Sequence, residues 1–421
     1  MSGATHKTIA TVWRMESTRL IGGLMRLVRD ISLAEDLAQD ALVAALEQWP
    51  QSGAPDNPGA WLMAAAKHRA IDRIRRNEMS TRKHDELGQE QELRQLLLLP
   101  DSETLLDDSV GDDVLRLIFI ACHPVLSNDA RVALTLRLIA GLSTDEIARA
   151  FLASEATIAQ RIVRAKRSLT AAKVPFEVPA ANDLAARLAS VLGVIYLVFN
   201  EGYAATAGDD WMRPQLCEEA LRLGRVLGAL MPQQAEVQGL LALMEIQASR
   251  MPARTDAQGD PILLLEQDRA RWNRLAIRRG LAALGKAEKL GGAFGPYALQ
   301  AAIAACHARA TVAADTDWPR IAALYDALAQ LSPSPVIELN RAMAVAMAFG
   351  AESGLAIADA LLDEPALANY HWLPSLRADL LFKLGRRAQA ADEFRRAAAL
   401  TRNAREQAAL NRRAVECEPL D

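Results

Sequence analysis

Aromatic side chains make up only 5% of the 421 residues, and the four cysteines, Cys122, Cys217, Cys306 and Cys417, are scattered singly. None has a second cysteine at zinc-site spacing, which excludes zinc-finger and disulfide-framework classes, so these thiols are expected to be small buried hydrophobes. The opening residues, MSGATHKTIA, lack the basic stretch and following apolar core of a secretory signal. No segment approaches about 18 uninterrupted apolar residues, so no membrane span and a cytoplasmic location are expected. Neither a metal-ligand cluster nor a nucleophile elbow is present, and the chain is read as a non-enzyme without metal or cofactor. What remains is rich in Ala and Leu, which lose little on entering a helix. An all-α protein of about two to four domains follows.

The formal net charge of -4 hides an uneven distribution. Between Trp61 and Lys83, Lys67, Arg69, Arg73, Arg75, Arg76, Arg82 and Lys83 face only Asp72 and Glu78, whereas the run from Asp85 to Asp113 is strongly acidic. A second basic stretch, Arg161, Arg164, Lys166, Arg167 and Lys173, follows Glu155. Two basic patches on an acidic tether point to more than one partner, which the net charge alone conceals.

Ser32 begins SLAE, the pattern of a capping box with Glu35, and predicts a helix to about Trp49. Leu42, Leu46 and Trp49 fall at core spacing on it, while Asp36, Gln39 and Asp40 share a solvated face. Pro50 to Asp56 reads as a loop. Asn57 and Pro58 then supply an N-cap and a first-turn proline for NPGAWLMAAAKHRAIDRIRR, which carries Arg69, Arg73 and Arg76 as a basic stripe. Trp61 is read as a core residue of this helix. The apolar period returns at Val114, Leu117, Ile118 and Ala121, and a helix is expected from Asn128 to Ala140, stopped by Gly141.

LSTDEIARAFLASEATIAQRIVRAKRSL (Leu142 to Leu169) has the plan of two helices joined by a tight turn. Ser143 and Glu146 form a capping box, Leu152 to Ser154 make the turn, and Ser154 caps the second helix. Ile147, Ala148, Phe151, Ile158, Ile162 and Leu169 are expected to bury. Glu155, Thr157, Gln160, Arg161 and Arg164 then face outward toward base edges, with Lys166 and Arg167 placed for phosphate. A plain helical hairpin with a solvated basic face is the competing reading.

The three motifs in this order resemble the extracytoplasmic-function (group 4) sigma factors of bacterial RNA polymerase. AEDLAQDALVAAL is similar to sigma region 2.2, NPGAWLMAAAKHRAIDRIRR to regions 2.3 and 2.4, and ALTLRLIAGLSTDEIARAFLASEATIAQRIVRAKRSL to region 4. The resemblance implies two partners, core RNA polymerase and promoter DNA. It carries Asp36, Gln39 and Asp40 onto the polymerase-docking face. It puts Lys67, Arg69, Arg73, Arg75 and Arg76 at the minus 10 element, with Asn57 a candidate in the preceding loop that captures bases. The helix-turn-helix residues, Glu155 through Arg167 as named above, go to the minus 35 element. Ala159 and Val163 stand where the family commonly has polar or basic residues.

Beyond PFEVP (Pro175 to Pro179) the chain continues past the point where such factors ordinarily stop. The apolar segment Ala186 to Ala205 reads as a buried helix, too short and interrupted for a membrane span, with NEGY at its polar exit. The carboxylates of RTDAQGDPILLLEQDRARW (Arg254 to Trp272) are read as structural. Gly385, Ala390, Phe394 and Ala397 match the small and aromatic positions of a tetratricopeptide repeat, with Gly350 and Ala360 about 34 residues earlier and Tyr325 beside Trp318 earlier still. The arrangement resembles the sigma subgroup with a long extension of tetratricopeptide-like repeats. The expected division is a region 2 module over 1-83, an acidic linker over 84-112 and a region 4 module over 113-174. A helical extension over 175-290 and a repeat domain over 291-421 complete it. The extension is expected to regulate the sigma modules by intramolecular contact. The runner-up is a ligand-sensing helix-turn-helix regulator with a helical-repeat sensor, which leaves the two N-terminal helices unexplained.

Overall fold

The computed structural model describes residues 2–80 and 103–417, with side chains outside 2–7, 10, 14, 71–80 and 103–110. Two compact units divide the chain, Met1–Ile195 and Tyr196–Asp421. Helices make up nearly all of the regular secondary structure among the described residues, as the Ala and Leu content requires.

In the first unit, helices α1 (Ser2–Val28), α2 (Ile31–Ser52) and α3 (Pro58–Ser80) pack on one another. Helix α2 starts differently from its sequence pattern. Asp30, not Ser32, is the N-cap and accepts a hydrogen bond from the Leu33 amide at 2.7 Å. Glu35 is thereby released from capping and lies buried. The core stripe of α2 is also narrower, formed by Ala34, Leu37, Ala38, Ala41, Ala45 and Trp49. Of the expected core residues, Trp49 is buried against Trp61 edge to face (ring centroids 5.4 Å apart), whereas Leu46 is 37% exposed. In an alanine-rich helix the small side chains permit close approach and displace leucine from the interface. Pro50 lies inside the helix, which ends at Gly53 with a left-handed φ of 84°. Helix α3 starts as expected, with the Asn57 side chain accepting from the Ala60 amide at 3.1 Å.

Helices α4 (Glu103–Ala121), α5 (Asn128–Leu138), α6 (Thr144–Ala150) and α7 (Glu155–Ala171) form the rest of the first unit with the start of α8 (Ala181–Tyr203). Helix α4 begins within the stretch read as a linker, so the acidic residues from Glu103 onward belong to a helix. The tether positions 84–102 lie outside the described residues. Asp113, counted with the acidic run, is buried and bonded to Arg116 at 2.9 Å, with Arg26 of α1 at 3.6 Å. Gly141, at φ 68°, ends the α5 region by letting the Leu142 amide return to the Leu136 carbonyl. All four cysteines are buried and free, and burial pushes the Cys122 thiol up to about 11 and Cys217 to about 12.

By length and composition alone, α8 is able to cross a membrane, which corrects the reading of this segment as too short. Its side chains Leu188, Val191, Leu192, Val194 and Ile195 are nevertheless buried in the protein. In the first unit, Arg187 donates to the Phe119 carbonyl at 2.9 Å, Ser190 to the Cys122 carbonyl at 2.6 Å, and Arg131 to Ser190 at 2.7 Å.

The second unit continues through α9 (Pro214–Leu230), α10 (Ala235–Ala248), α11 (Arg274–Lys289), α12 (Pro296–Arg309), α13 (Trp318–Leu331), α14 (Pro335–Phe349), α15 (Ala351–Asp359), α16 (Trp372–Lys383), α17 (Arg387–Leu400) and α18 (Ala404–Glu416). Sequential helices pack in pairs. Gly385 adopts a left-handed φ of 77° in the α16–α17 turn, and Ala390, Phe394 and Ala397 are buried, as their spacing predicts. One repeat earlier the register shifts. Ala360 is exposed, and Gly354 makes the close approach, since a Cβ there would stand 2.6 Å from the Ala342 carbonyl oxygen and 2.4 Å from the Ala346 Cβ. Gly354→Ala is expected to destabilise this unit by about 1–3 kcal/mol through overpacking, measured as a shift in its thermal unfolding.

The carboxylates of Arg254 to Trp272 serve the local fold. Asp256 accepts from the Gln258 and Asp260 amides at 2.9 and 2.8 Å, and Asp260 pairs with Arg405 at 3.1 Å and Arg412 at 2.9 Å. Within NEGY, Glu201 pairs with Arg213 and Gly202 packs against the backbone of residues 213 and 217. Two-residue strands β1 (Ala207–Gly208) and β2 (Arg402–Asn403) pair in parallel. The buried Asn403 amide donates to the Ala205 and Asp210 carbonyls at 3.2 and 2.8 Å.

Candidate nucleic-acid interface

Helices α6 and α7 form the tight pair that the caps of the sequence call for. Ser143 accepts from the Glu146 amide at 3.1 Å, and the Glu146 carboxylate accepts from the Ser143 amide at 2.8 Å. Phe151 ends α6, Leu152 turns the chain at φ 49°, and Ser154 accepts from the Thr157 amide at 3.1 Å to start α7. Ile147, Ala148, Ile158, Ile162 and Leu169 are buried, whereas Phe151 is only half-buried. Ser143→Ala removes the hydroxyl that accepts from the Glu146 amide, leaving the backbone half of the capping box, and is expected to destabilise the first unit by about 1 kcal/mol, measured by denaturant unfolding.

The exposed face of α7 presents Glu155, Thr157, Gln160, Arg164 and Arg167. The Thr157 hydroxyl is already engaged with Ser154 at 2.7 Å. Two basic residues are held within the protein. Arg161 pairs with Asp129 of α5 at 3.2 Å, and Lys166, expected to meet phosphate, forms an ion pair with the buried Glu35 of α2.

Glu35 is the residue whose role the sequence missed. Its carboxylate also accepts from the Arg137 Nε at 2.6 Å, so one acid of α2 holds one base of α5 and one of α7. Burial alone would raise its pKa, but the charges and hydrogen bonds of Lys166 and Arg137 together outweigh that and keep it below its ordinary value. The Thr18 hydroxyl of α1 also donates to the Ile139 carbonyl, just past the end of α5, at 2.8 Å. No local signal could have announced the arrangement, because its members are about a hundred residues apart.

On α3, Lys67 and Arg69 are half-buried, and Arg69 donates to the Asp40 backbone carbonyl of α2. Arg73, Arg75 and Arg76 lie on the same helix, with side chains outside the described residues. Asn57 is exposed as the cap of that helix. Asp36 and Asp40 are exposed and Gln39 half-buried, and Val43, 48% exposed, lies on the same helical face. The acidic face is therefore not uniformly polar, and an exposed apolar side chain at its end is a feature of docking surfaces. Among the described residues, no group of His, Cys, Asp and Glu is placed to hold a metal ion.

A three-helix module followed by a capped helix-turn-helix, each with a basic helix, defines a two-module DNA-binding class. Residues 13–79 match the model of sigma-70 region 2, residues 116–169 that of sigma-70 region 4, and residues 187–288 a family of unknown function, DUF6596. The chain belongs to the sigma-70 factors, as an extracytoplasmic-function type with a long helical C-terminal extension. It is 45% identical to an uncharacterized protein of Rhizobium meliloti (strain 1021), R00370, over 92% of this chain and 90% of that one. It is 28% identical to the ECF RNA polymerase sigma factor SigK of Mycobacterium sp. (strain KMS), over 36% of this chain and 76% of that one. To the SigK of Mycobacterium tuberculosis (strain CDC 1551 / Oshkosh) it is 26% identical, over 40% and 87% respectively. No solved structure matches.

Proposed function

We propose that this sigma factor docks on core RNA polymerase through the Asp36, Gln39, Asp40 and Val43 face and directs it to promoters in the cytoplasm. In this reading α7 reads the minus 35 element with Glu155, Thr157, Gln160, Arg161 and Arg164, while Arg167 and a released Lys166 meet phosphate. Asn57, Lys67, Arg69, Arg73, Arg75 and Arg76 serve the minus 10 element and the opened strand. The observation that carries the reading is the capped α6–α7 pair with an exposed polar N-terminal face, in one chain with the region 2 helices. A regulator with a helical-repeat sensor would need no region 2.

The free protein is a closed form. The two promoter elements lie about 25 base pairs apart, roughly 85 Å at 3.4 Å per base pair. Modules joined by Glu35, Lys166 and Arg137 cannot span that distance, so the modules must part on the polymerase, freeing Lys166. The extension adds a second restraint, supported by the hydrogen bonds of Arg187 and Ser190 to the carbonyls of Phe119 and Cys122. Transcription by core polymerase with the purified chain, followed by start-site mapping, tests the function. Specific start sites are expected, and their absence would overturn it. Arg187→Ala with Ser190→Ala is expected to raise transcript yield, and an unchanged yield would remove the extension from the restraint.

A further inference from the structure

Three arginines in the second unit, Arg250, Arg254 and Arg269, are each more than nine-tenths buried, and none forms an ion pair with a carboxylate among the described residues. Two of them are accounted for by uncharged partners. Arg254 donates to the Tyr203 carbonyl and lies 3.5 Å from the Tyr203 ring centroid and 5.6 Å from that of Trp211. Arg269 donates to the His307 and Ala310 carbonyls at 2.6 and 2.7 Å and to the Thr316 hydroxyl at 3.2 Å.

Arg250 differs. It follows α10, its guanidinium stands 5.8 Å from the Tyr203 centroid, and no side-chain hydrogen bond satisfies it. Its Nε is buried without a partner, whereas its two terminal nitrogens, which make no hydrogen bond among the described residues, are not fully enclosed. The same neighbourhood holds two more buried nitrogens without partners, Arg269 Nε and His307 Nδ1. His307 packs edge to face on Trp318, with ring centroids 5.2 Å apart. Its pKa falls to about 3, through burial first and then through the charges of Arg250 and Arg269. The imidazole therefore stays neutral, and although the Asp315 carboxylate acts on Arg269, no carboxylate among the described residues pairs with Arg250.

A buried cation is costly unless paired, and a guanidinium fork matches the paired oxygens of a carboxylate or phosphate. We propose that the second unit is a receptor for a small anionic molecule, whose carboxylate or phosphate group pairs with the Arg250 guanidinium beside Tyr203 and His307. The arginines at 254 and 269 supply the surrounding positive field. The inference concerns the extension alone and stands independently of promoter recognition.

The test uses the full chain at constant ionic strength, titrated with inorganic phosphate and, separately, with benzoate. Thermal unfolding and tryptophan fluorescence are followed, since Trp272 lies under Arg269 and Trp318 against His307. At least one probe is expected to raise the unfolding temperature saturably. A response to phosphate alone assigns a phosphate ligand, to benzoate alone a carboxylate, and to both a general anion site. Arg250→Met should weaken that response at least tenfold without lowering the unfolding temperature of the ligand-free protein, because it removes an unpaired buried charge. Arg250→Lys, which keeps the charge but loses the fork, should weaken it as well, and reads the site if the Met variant does not fold. No saturable response to either probe, or an unchanged response in the variants, would overturn the proposal.

Discussion

Glu35→Gln is expected to raise the affinity of the free protein for a duplex carrying its minus 35 element by at least about tenfold. The substitution keeps the size of the side chain but leaves Arg137 and Lys166 facing an uncharged amide. Breaking a buried pair from one side costs about 3 kcal/mol, and that cost falls on the closed form alone. Apparent affinity scales with the competent fraction, so each 1.4 kcal/mol lost from the closed form gives up to one decade. Arg137→Met tests the same contact from α5 without altering any residue proposed to read DNA. Circular dichroism on both variants separates opening from loss of fold. If both fold and neither binds more tightly, Glu35 is a packing device and not a latch.

The latch also has a pH signature. Glu35 is held below its ordinary value of 4.5, so its contribution is complete above that value and is lost as the pH falls through the depressed folded value. Asp113, on the same interface beside Arg26 and Arg116, works in the opposite sense. Burial raises its pKa despite the two arginines, so protonating it relieves the closed form. Acid opening, followed by fluorescence transfer between labels on α2 and α7, should therefore begin only below about pH 4.5.

The double substitution Arg161→Ala with Arg164→Ala is expected to weaken minus 35 binding by about 2–6 kcal/mol, roughly thirtyfold or more, at 1–3 kcal/mol for each base contact. The two halves should be unequal. Arg161 must first leave Asp129, an exposed pair worth less than about 1 kcal/mol, whereas Arg164 is already free to engage. Titration of a labelled duplex at fixed salt reads both. Lys166→Ala should behave unlike either, because it removes a phosphate contact and releases Glu35 at once. Its salt dependence should fall by about one unit of slope while affinity at moderate salt changes little. Unaltered binding in the double variant would remove α7 from DNA recognition.

The helix-turn-helix was legible because its determinants are local. Ser143, Glu146 and Ser154 act on amides three residues away, and Gly141 acts through its own φ. The start of α2 was not legible, since DISLAE offers two caps two residues apart and only the pull of Arg137 and Lys166 on Glu35 distinguishes them. Leu46 misled for a related reason. Its spacing fits a core stripe, but Ala34, Ala38, Ala41 and Ala45 fit one too, and close helix contact favours the smaller side chains. The region 2 basic stripe could be placed on a helix from sequence, whereas the pairing of Lys166 and Arg161 with acids depends on tertiary proximity that no periodicity encodes. The buried arginines of the second unit are equally silent in sequence, where an arginine reads as surface.

The pairing of Ala207–Gly208 with Arg402–Asn403 gives the second unit a property that stacked helix pairs ordinarily lack. In an open array each repeat touches only its neighbours, so folding can start anywhere and the array shortens one repeat at a time. Here the first and last turns of the unit are joined through Asn403, a contact between residues almost two hundred positions apart. Such a closure is slow to form, because the entropy of the whole intervening chain must be lost before the contact rewards it. It also makes the unit's two ends melt together, so removing α18 should loosen the loop at Ala205 as much as the helices beside it.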